Sequence, residues 1–464
     1  MKFLFQLFLM LFCVLGSAQQ TPKQPNIIFI LADDLGIGDI GVYGQSIIQT
    51  PHIDRLAEEG MKFNNFYAGS TVCAPSRAAL LTGQHTGHTQ VRGNGEFPLD
   101  PAKKIIPEVL KNAGYTNAIF GKWGMGLNGS GSTPDKRGFD VFAGHIHHVS
   151  AHYQKPDSID AIVHGDLKRI GLPKDTYVNE YFTEQALQFI NNQPKDKPFF
   201  LFMSYTIPHA ELVVPPKYLQ KHLLSAEQSK HDSEKEWPAG RHYGPQPFPK
   251  AAYAALVESL DDYTGQILAA LKAKGIDENT IVIFTSDNGT HTEGGRTQED
   301  VDYFGSSAHY QGVKRDLYTG GIKEPFLIRW PGTIPARTQS NHVSAFWDLY
   351  PTFAELAQVT LKESLDGISI VPTLTDKGKQ DKHPYLYWEF HEFGGKQALL
   401  KGDWKIIRLD VHKNRYAPVA LYNLKEDPSE KNDVSKKYPR KTKRLTELMD
   451  SVRTENENFN FKRQ

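Results

Sequence analysis

The sequence predicts an α/β domain with a large, mostly parallel sheet flanked by helices, followed by a smaller antiparallel sheet and a terminal helix. Three observations carry this reading: apolar runs without alternation, helical segments between them, and a change of texture near Thr373. The runs are "NIIFILADD" (Asn26 to Asp34), "TNAIFGKWG" (Thr116 to Gly124), "PFFLFMSYTIPH" (Pro198 to His209) and "TIVIFTSDNG" (Thr280 to Gly289). Unbroken Ile, Val and Phe suit strands buried on both faces, as in a parallel sheet covered by helices. The clearest helix is "AALVESLDDYTGQILAALKAKG": Leu256, Leu260, Tyr263 and Ile267 share one face, and Gly275 supplies the stop. Between helix and strand signals, Ser225 to Lys250 reads as a long loop on the side of the presumed site. From Thr373, "TLTDKGKQDKHP" is a Lys-rich break. "YLYWEF", "KQALLKGDWKIIRL" and "PVALYNL" then read as antiparallel strands, and "YPRKTKRLTELMDSVRTENENF" as a surface helix running into a frayed tail. The division expected is a leader over residues 1–18, a catalytic α/β domain over 19–372 and an α+β subdomain over 373–464.

The leader, "MKFLFQLFLMLFCVLGSAQQ", places Lys2 before an apolar run and ends at Gly16-Ser17-Ala18, the pattern of a cleavable signal peptide. Leu11-Phe12 ahead of Cys13 lacks the small residue of a lipoprotein signal. A periplasmic or secreted protein is expected, and of two cysteines only Cys73 survives export, which excludes an intramolecular disulfide. No later run is long enough to span a membrane. Lys plus Arg and Asp plus Glu are 53 each, so no global field favours nucleic acid or a membrane surface. Positive charge for an anionic substrate has to be local.

In open α/β sheets ligands bind beyond the carboxyl ends of the strands. Here those ends carry Asp33-Asp34, Lys122, His209 and Asp287-Asn288. Turns favour Asp and Asn, which explains one such end easily and four with this chemistry poorly. A further element is "TVCAPSRAALLTG", Thr71 to Gly83. Pro75 suits a first helical turn and Gly83 a stop, so Cys73 falls at a helix N-terminus, where free N–H groups favour anions and lower a thiol pKa. Arg77, four residues on, reaches the same side. Considered alone, a buried structural cysteine with a surface arginine fits equally well.

The full string changes that balance. Cys73 to Gly83 fits C-x-P-S-R-A-x-L-L-T-G, which resembles the signature of the type I, formylglycine-dependent sulfatases of the alkaline-phosphatase-like superfamily. The resemblance covers nearly the whole chain: "NIIFILADDLGIGDIGVYG", "TPHIDRLAEEGMKFNNFYAG", "TSDNGTHTEGG", "GVKRDLYTGGIKEPFLIRWPG" and "LYNLKEDPSEKNDV" look like family blocks in order. It implies a large mixed, mostly parallel sheet and a sulfuric ester hydrolase. It also implies oxidation of Cys73 to formylglycine (3-oxoalanine) by a formylglycine-generating maturation enzyme. One hydroxyl of the hydrated aldehyde attacks sulfur, and the second, losing its proton, expels sulfate. Asp33, Asp34, Asp287 and Asn288 offer only oxygen ligands, which suits one Ca²⁺ beside residue 73. By position in the motifs, Arg77 and Lys122 hold the formylglycine, while Lys314 and His209 bind sulfate, with His209 protonating the departing oxygen.

One departure stands out. A common family form is G-K-W-H-x-G, whereas this chain has Gly121-Lys122-Trp123-Gly124-Met125-Gly126. The base for the second hydroxyl then has to come from elsewhere; His152 is the first choice, followed by His145, His147 and His148. For substrate contacts, Tyr387 to Lys405 offers Glu389, His391, Glu392 and Lys396, with Trp388 for stacking on a sugar ring; Arg315 is a further candidate. The same residues also fit subdomain core and rim. The expected substrate is a sulfated polysaccharide or its oligosaccharides. The alternatives are a phosphodiesterase or phosphonate hydrolase of the same superfamily, and an inactive glycan-binding relative.

Overall fold

The computed structural model describes residues 24–461; the leader expected over residues 1–18 lies outside the described residues. A ten-stranded sheet forms the centre. Its order is Thr338–Ser340, Met61–Phe63, Phe326–Arg329, Thr280–Ser286, Asn26–Asp33, Phe199–Pro208, Thr116–Lys122, Val141–His145, Ser158–Val163 and Asp166–Gly171. The five strands from Thr280–Ser286 to Val141–His145 are parallel, and antiparallel strands flank them on both sides. All four apolar runs picked out in the sequence are therefore neighbours in the parallel centre.

Alternation along Asn26–Asp33 divides the core. Ile28, Ile30 and Ala32 pack on one face, with helices Val178–Asn192 and Pro249–Lys274. Ile27, Phe29 and Leu31 pack on the other, with helices Cys73–Thr82, Ile106–Asn112 and Leu349–Leu356. Helix Pro249–Lys274 ends at Gly275 in left-handed backbone, φ 69°.

The second sheet has four antiparallel strands, Leu386–Phe390, Lys396–Lys401, Trp404–Leu409 and Val419–Asn423. Period-two alternation gives it two apolar faces. Trp388, Ala398 and Ile407 pack towards Val72, Ala79 and Trp347 of the large domain, whereas Tyr387, Leu399 and Ile406 pack on Leu445 and Met449 of helix Pro439–Ser451. The tail after that helix is not frayed. Arg453 pairs with buried Glu389 at 2.7 Å, the Thr454 N–H donates to the Gly87 carbonyl at 2.9 Å, and Phe459 and Phe461 are buried. Its Arg, Thr and Phe anchors outweigh the polar composition that suggested fraying. Among the described residues no helix is long and apolar enough to cross a membrane.

Candidate active site

Four adjacent strands end side by side, and each delivers a polar group. Asn26–Asp33 ends in Asp33, followed by Asp34 in left-handed backbone at φ 63°. Thr280–Ser286 runs into Asp287 and Asn288, Phe199–Pro208 into His209, and Thr116–Lys122 finishes on Lys122. The ends are tied together: the Asp34 N–H donates to Asp287 Oδ1 at 3.1 Å, and Asn288 Nδ2 donates to Asp34 Oδ1 at 2.6 Å. Asp33, Asp34, Asp287 and Asn288 are all fully buried.

Helix Cys73–Thr82 brings the fifth element. Val72 caps it in extended backbone and Gly83 stops it at φ 68°. Ser76 Oγ accepts from the Gly69 N–H at 3.1 Å and donates to the Asp287 carbonyl, which docks the first turn on the strand end. Arg77 reaches inward: Nε and Nη2 each lie 2.9 Å from Asp287 Oδ2, and Nη1 donates to Ser204 Oγ and the Lys122 carbonyl. Lys122 Nζ lies 2.7 Å from Asp33 Oδ2, and Lys314 Nζ 2.7 Å from Asp34 Oδ2 and 2.8 Å from His209 Nε2. Cys73 Sγ and one oxygen each of Asp33 and Asp34 lie within 4.8 Å of one another.

Burial alone would raise these carboxyl groups; Lys122 and Arg77 outweigh it and hold Asp33 well below the usual range, and Lys314 and His209 do the same for Asp34. For Asp287, burial and the Asp33 charge prevail over Arg77, and its pKa rises to about 7. Three carboxylates packed this closely repel one another unless a cation joins them. Two buried acceptors, Asp33 Oδ1 and Asn288 Oδ1, have no hydrogen-bond partner. The donor set is all oxygen and fits a hard divalent ion. Cys73 corrects one expectation: its N-terminal position does not lower the thiol, because burial pushes it up to about 11. At neutral pH the unmodified side chain is a thiol and a poor nucleophile.

Above Cys73 opens a cavity of about 590 Å³ lined also by Lys314, His209 and His152. His152 stacks on His209 with ring centroids 3.9 Å apart; its Nδ1 faces the Tyr243 hydroxyl at 3.4 Å, and its Nε2 is buried without a partner. Burial and the neighbouring His209 push its pKa down, so the ring is neutral. Of the other histidines, His148 lines the cavity and contacts Glu96, His147 stacks on His148 and reaches the same Glu96 oxygen at 3.3 Å, and His145 is buried with neither nitrogen partnered. Gly124 has φ 71°, and a Cβ there would meet the His148 Cβ at 3.2 Å. A histidine at this position is both strained and crowded. Gly124→His is expected to cost about 1–3 kcal/mol, seen as a lower thermal midpoint, without raising turnover.

The substrate block behaves differently from its sequence expectation. Trp388 is wholly buried with Nε1 donating to the Ala68 carbonyl, so it offers no face to a sugar. Glu389 is locked between Arg92 and Arg453. His391 bonds Glu389 and stacks on Phe461, away from the cavity lining, and Glu392 accepts from the Asn94 N–H at 3.1 Å. Arg315 does line the cavity, as do Lys235, Trp237 and Tyr243 from the long loop. Sequence reasoning missed Glu293, which lies 3.2 Å from His209 Nε2 and 3.5 Å from Lys314 Nζ and also holds Arg315. Its only sequence signal is its place in "THTEGG", just after the Asp287-Asn288 strand end.

Comparison with known proteins matches this architecture. The Sulfatase family model covers residues 25–359, and a model for the C-terminal region of N-sulphoglucosamine sulphohydrolase covers 308–456. N-acetylgalactosamine-6-O-sulfatase of Bacteroides thetaiotaomicron is 29% identical over 94% of both chains. Human N-acetylgalactosamine-6-sulfatase is 31% identical over 80% of this chain and 70% of its own. Among solved structures, Ps i-CgsB in complex with k-i-k-neocarrahexaose superposes with a TM-score of 0.74 at 26% identity, covering 93% of this chain and 94% of that one. With the family model spanning most of the strand ends and the Cys73 helix, the chain belongs to the sulfatase family and is a sulfuric ester hydrolase.

Proposed function

We propose that the protein removes sulfate from a carbohydrate, with residue 73 as the nucleophile and a calcium ion in the all-oxygen pocket beneath it. The observation that carries this is one contiguous cluster: buried Asp33, Asp34, Asp287 and Asn288 adjoin Cys73, Lys314 and His209, and these three line the cavity. Relatives named N-acetylgalactosamine-6-sulfatase and a neighbour solved in complex with k-i-k-neocarrahexaose support a sugar as the alcohol. The leader pattern of residues 1–18 supports export to the periplasm or medium.

Formylglycine at position 73, made by a maturation enzyme that reads Cys73, Pro75 and Arg77, supplies a hydrated aldehyde whose two hydroxyls serve for attack and for release. Calcium, when bound by Asp33, Asp34, Asp287 and Asn288, would supply positive charge for a sulfate ester held in the cavity. The remaining work falls to the chain's own side chains. Arg77 and Lys122, anchored on Asp287 and Asp33, orient residue 73. Lys314 neutralises charge on the sulfate, and His209, in contact with Lys314 and Glu293, gives a proton to the departing sugar oxygen. His152, neutral with an unpartnered Nε2 beside His209, takes the proton that lets residue 73 expel sulfate.

Three measurements test this. Protein co-expressed with a formylglycine-generating enzyme is expected to release sulfate from sulfated N-acetylgalactosamine faster than phosphate from matched phosphate mono- or diesters; the reverse order points to the phosphodiesterase alternative. Mass spectrometry of the Cys73 peptide is expected to show the aldehyde, and its absence after native expression favours the inactive glycan-binding relative. His152→Ala is expected to lower kcat about 10²- to 10⁴-fold and to leave sulfate on residue 73. Unchanged turnover removes His152 from the mechanism.

A further inference from the structure

Arg315 adopts a backbone conformation that its side chain disfavours. Its φ is 76°, a region glycine enters freely and long side chains rarely occupy. Three contacts hold it there. Its N–H donates to the Thr71 carbonyl at 2.9 Å, its carbonyl accepts from Lys396 Nζ at 2.7 Å, and its Nη1 binds Glu293. Thr71 lies just ahead of Cys73, and Lys396 begins a strand of the small sheet, so both parts of the molecule fix this one residue. Such over-determined strain gathers at functional positions.

The guanidinium lines the cavity over Cys73, with Phe393 outside it: the ring is 69% exposed and its centroid is 5.8 Å from Arg315 Cζ. Among the described residues only Nη1 of Arg315 has a side-chain partner, and Nε is left without one. Among the described residues Arg315 forms no ion pair with Asp33, Asp34 or Asp287; its ion pair is with Glu293. Lys122 and Lys314 are the cations tied to Asp33 and Asp34, and Glu293 is already shared with Lys314 and His209. Lys235 and Arg296 add further cations to the lining, against the acid Glu236, and Glu392 also acts on the Arg315 charge.

Resting on the reading of the cavity as a sulfate-ester site, we propose that Arg315 forms an outer anion subsite. It recognises a second acidic group, a carboxylate or another sulfate, on the carbohydrate that carries the scissile ester. A planar guanidinium with free N–H groups suits either oxyanion through paired, charge-assisted hydrogen bonds.

The test compares three probes on the matured, calcium-loaded enzyme: N-acetylgalactosamine 6-sulfate, its 4,6-disulfate, and a uronate-containing disaccharide carrying one 6-sulfate. Wild type is expected to prefer at least one doubly acidic probe by about tenfold or more in kcat/KM. The preferred probe identifies sulfate or carboxylate as the recognised group. Arg315→Gly suits φ 76° and should fold with an undiminished thermal midpoint, yet lower that preference ratio about tenfold; Arg315→Lys should retain part of it. The same probes are titrated calorimetrically against Cys73→Ala with and without Arg315→Gly. If no probe is turned over but the affinity difference exists and disappears with Arg315→Gly, the subsite stands and the sulfate-ester reading falls. Absence of any preference in wild type, in both turnover and affinity, overturns the subsite, as does a preference that survives Arg315→Gly.

Discussion

Cys73→Ala is expected to lower kcat on the order of 10⁴- to 10⁶-fold, the range seen when a covalent nucleophile is deleted, while leaving the fold in place. Cys73 is the residue at which the buried oxygen cluster meets the cavity. Its near neighbour Ser76 is turned away, with Oγ engaged by the Gly69 N–H and the Asp287 carbonyl. Removing the single Sγ atom from a 3% exposed position costs about 1–2 kcal/mol of packing, so thermal unfolding should move far less than activity. Cys73→Ser separates attack from release: one hydroxyl can accept sulfate, but without a second hydroxyl on the same carbon it has no exit. Sulfate should accumulate on Ser at position 73 and be visible by mass spectrometry. Sustained turnover by Cys73→Ala would place the nucleophile elsewhere.

Removal of calcium is the second large effect. With chelator, turnover should vanish and stability should drop by about 3–4 kcal/mol, the linkage expected when the ion had been present at a few hundred to a thousand times its Kd. Asp33, Asp34 and Asp287 are fully buried, and burial, with the Asp33 charge beside it, raises Asp287 to about 7. Calcium should restore both quantities; magnesium, which prefers to keep bound waters, should restore them poorly in a fully buried donor set. Restoration by magnesium at equal concentration would contradict the assignment. The readouts are sulfate release and the thermal midpoint.

Strand ends were legible in the sequence because parallel strands are buried on both faces: the point where Ile, Val and Phe give way to Asp, Lys or His is the carboxyl edge of the sheet. That is how Asp33, Lys122, His209 and Asp287 could be gathered without coordinates. Glu293, and Asn94, which also lines the cavity, could not, since each comes from a loop whose course depends on packing against distant segments; Asn94 is positioned by Glu392, 298 residues away. Trp388 shows the opposite failure. An aromatic residue in a strand looks the same whether it faces a sugar or a core, and only the register of the small sheet turns it towards Trp347 and Ala68. For the Cys73 thiol two physical effects compete, and burial overcomes the helix terminus by an amount that no local pattern reveals.

The docked tail carries a consequence for timing. All ten residues of helix Cys73–Thr82 are buried, and Cys73 borders the cavity. The last residues of the chain complete the enclosure: Thr454 binds Gly87, Asn456 binds Gln90, and Phe459 packs over Gly93, close after that helix in sequence. Those contacts cannot form until synthesis has passed residue 459. Closure of the segment that follows the Cys73 helix therefore waits on residues 454–459.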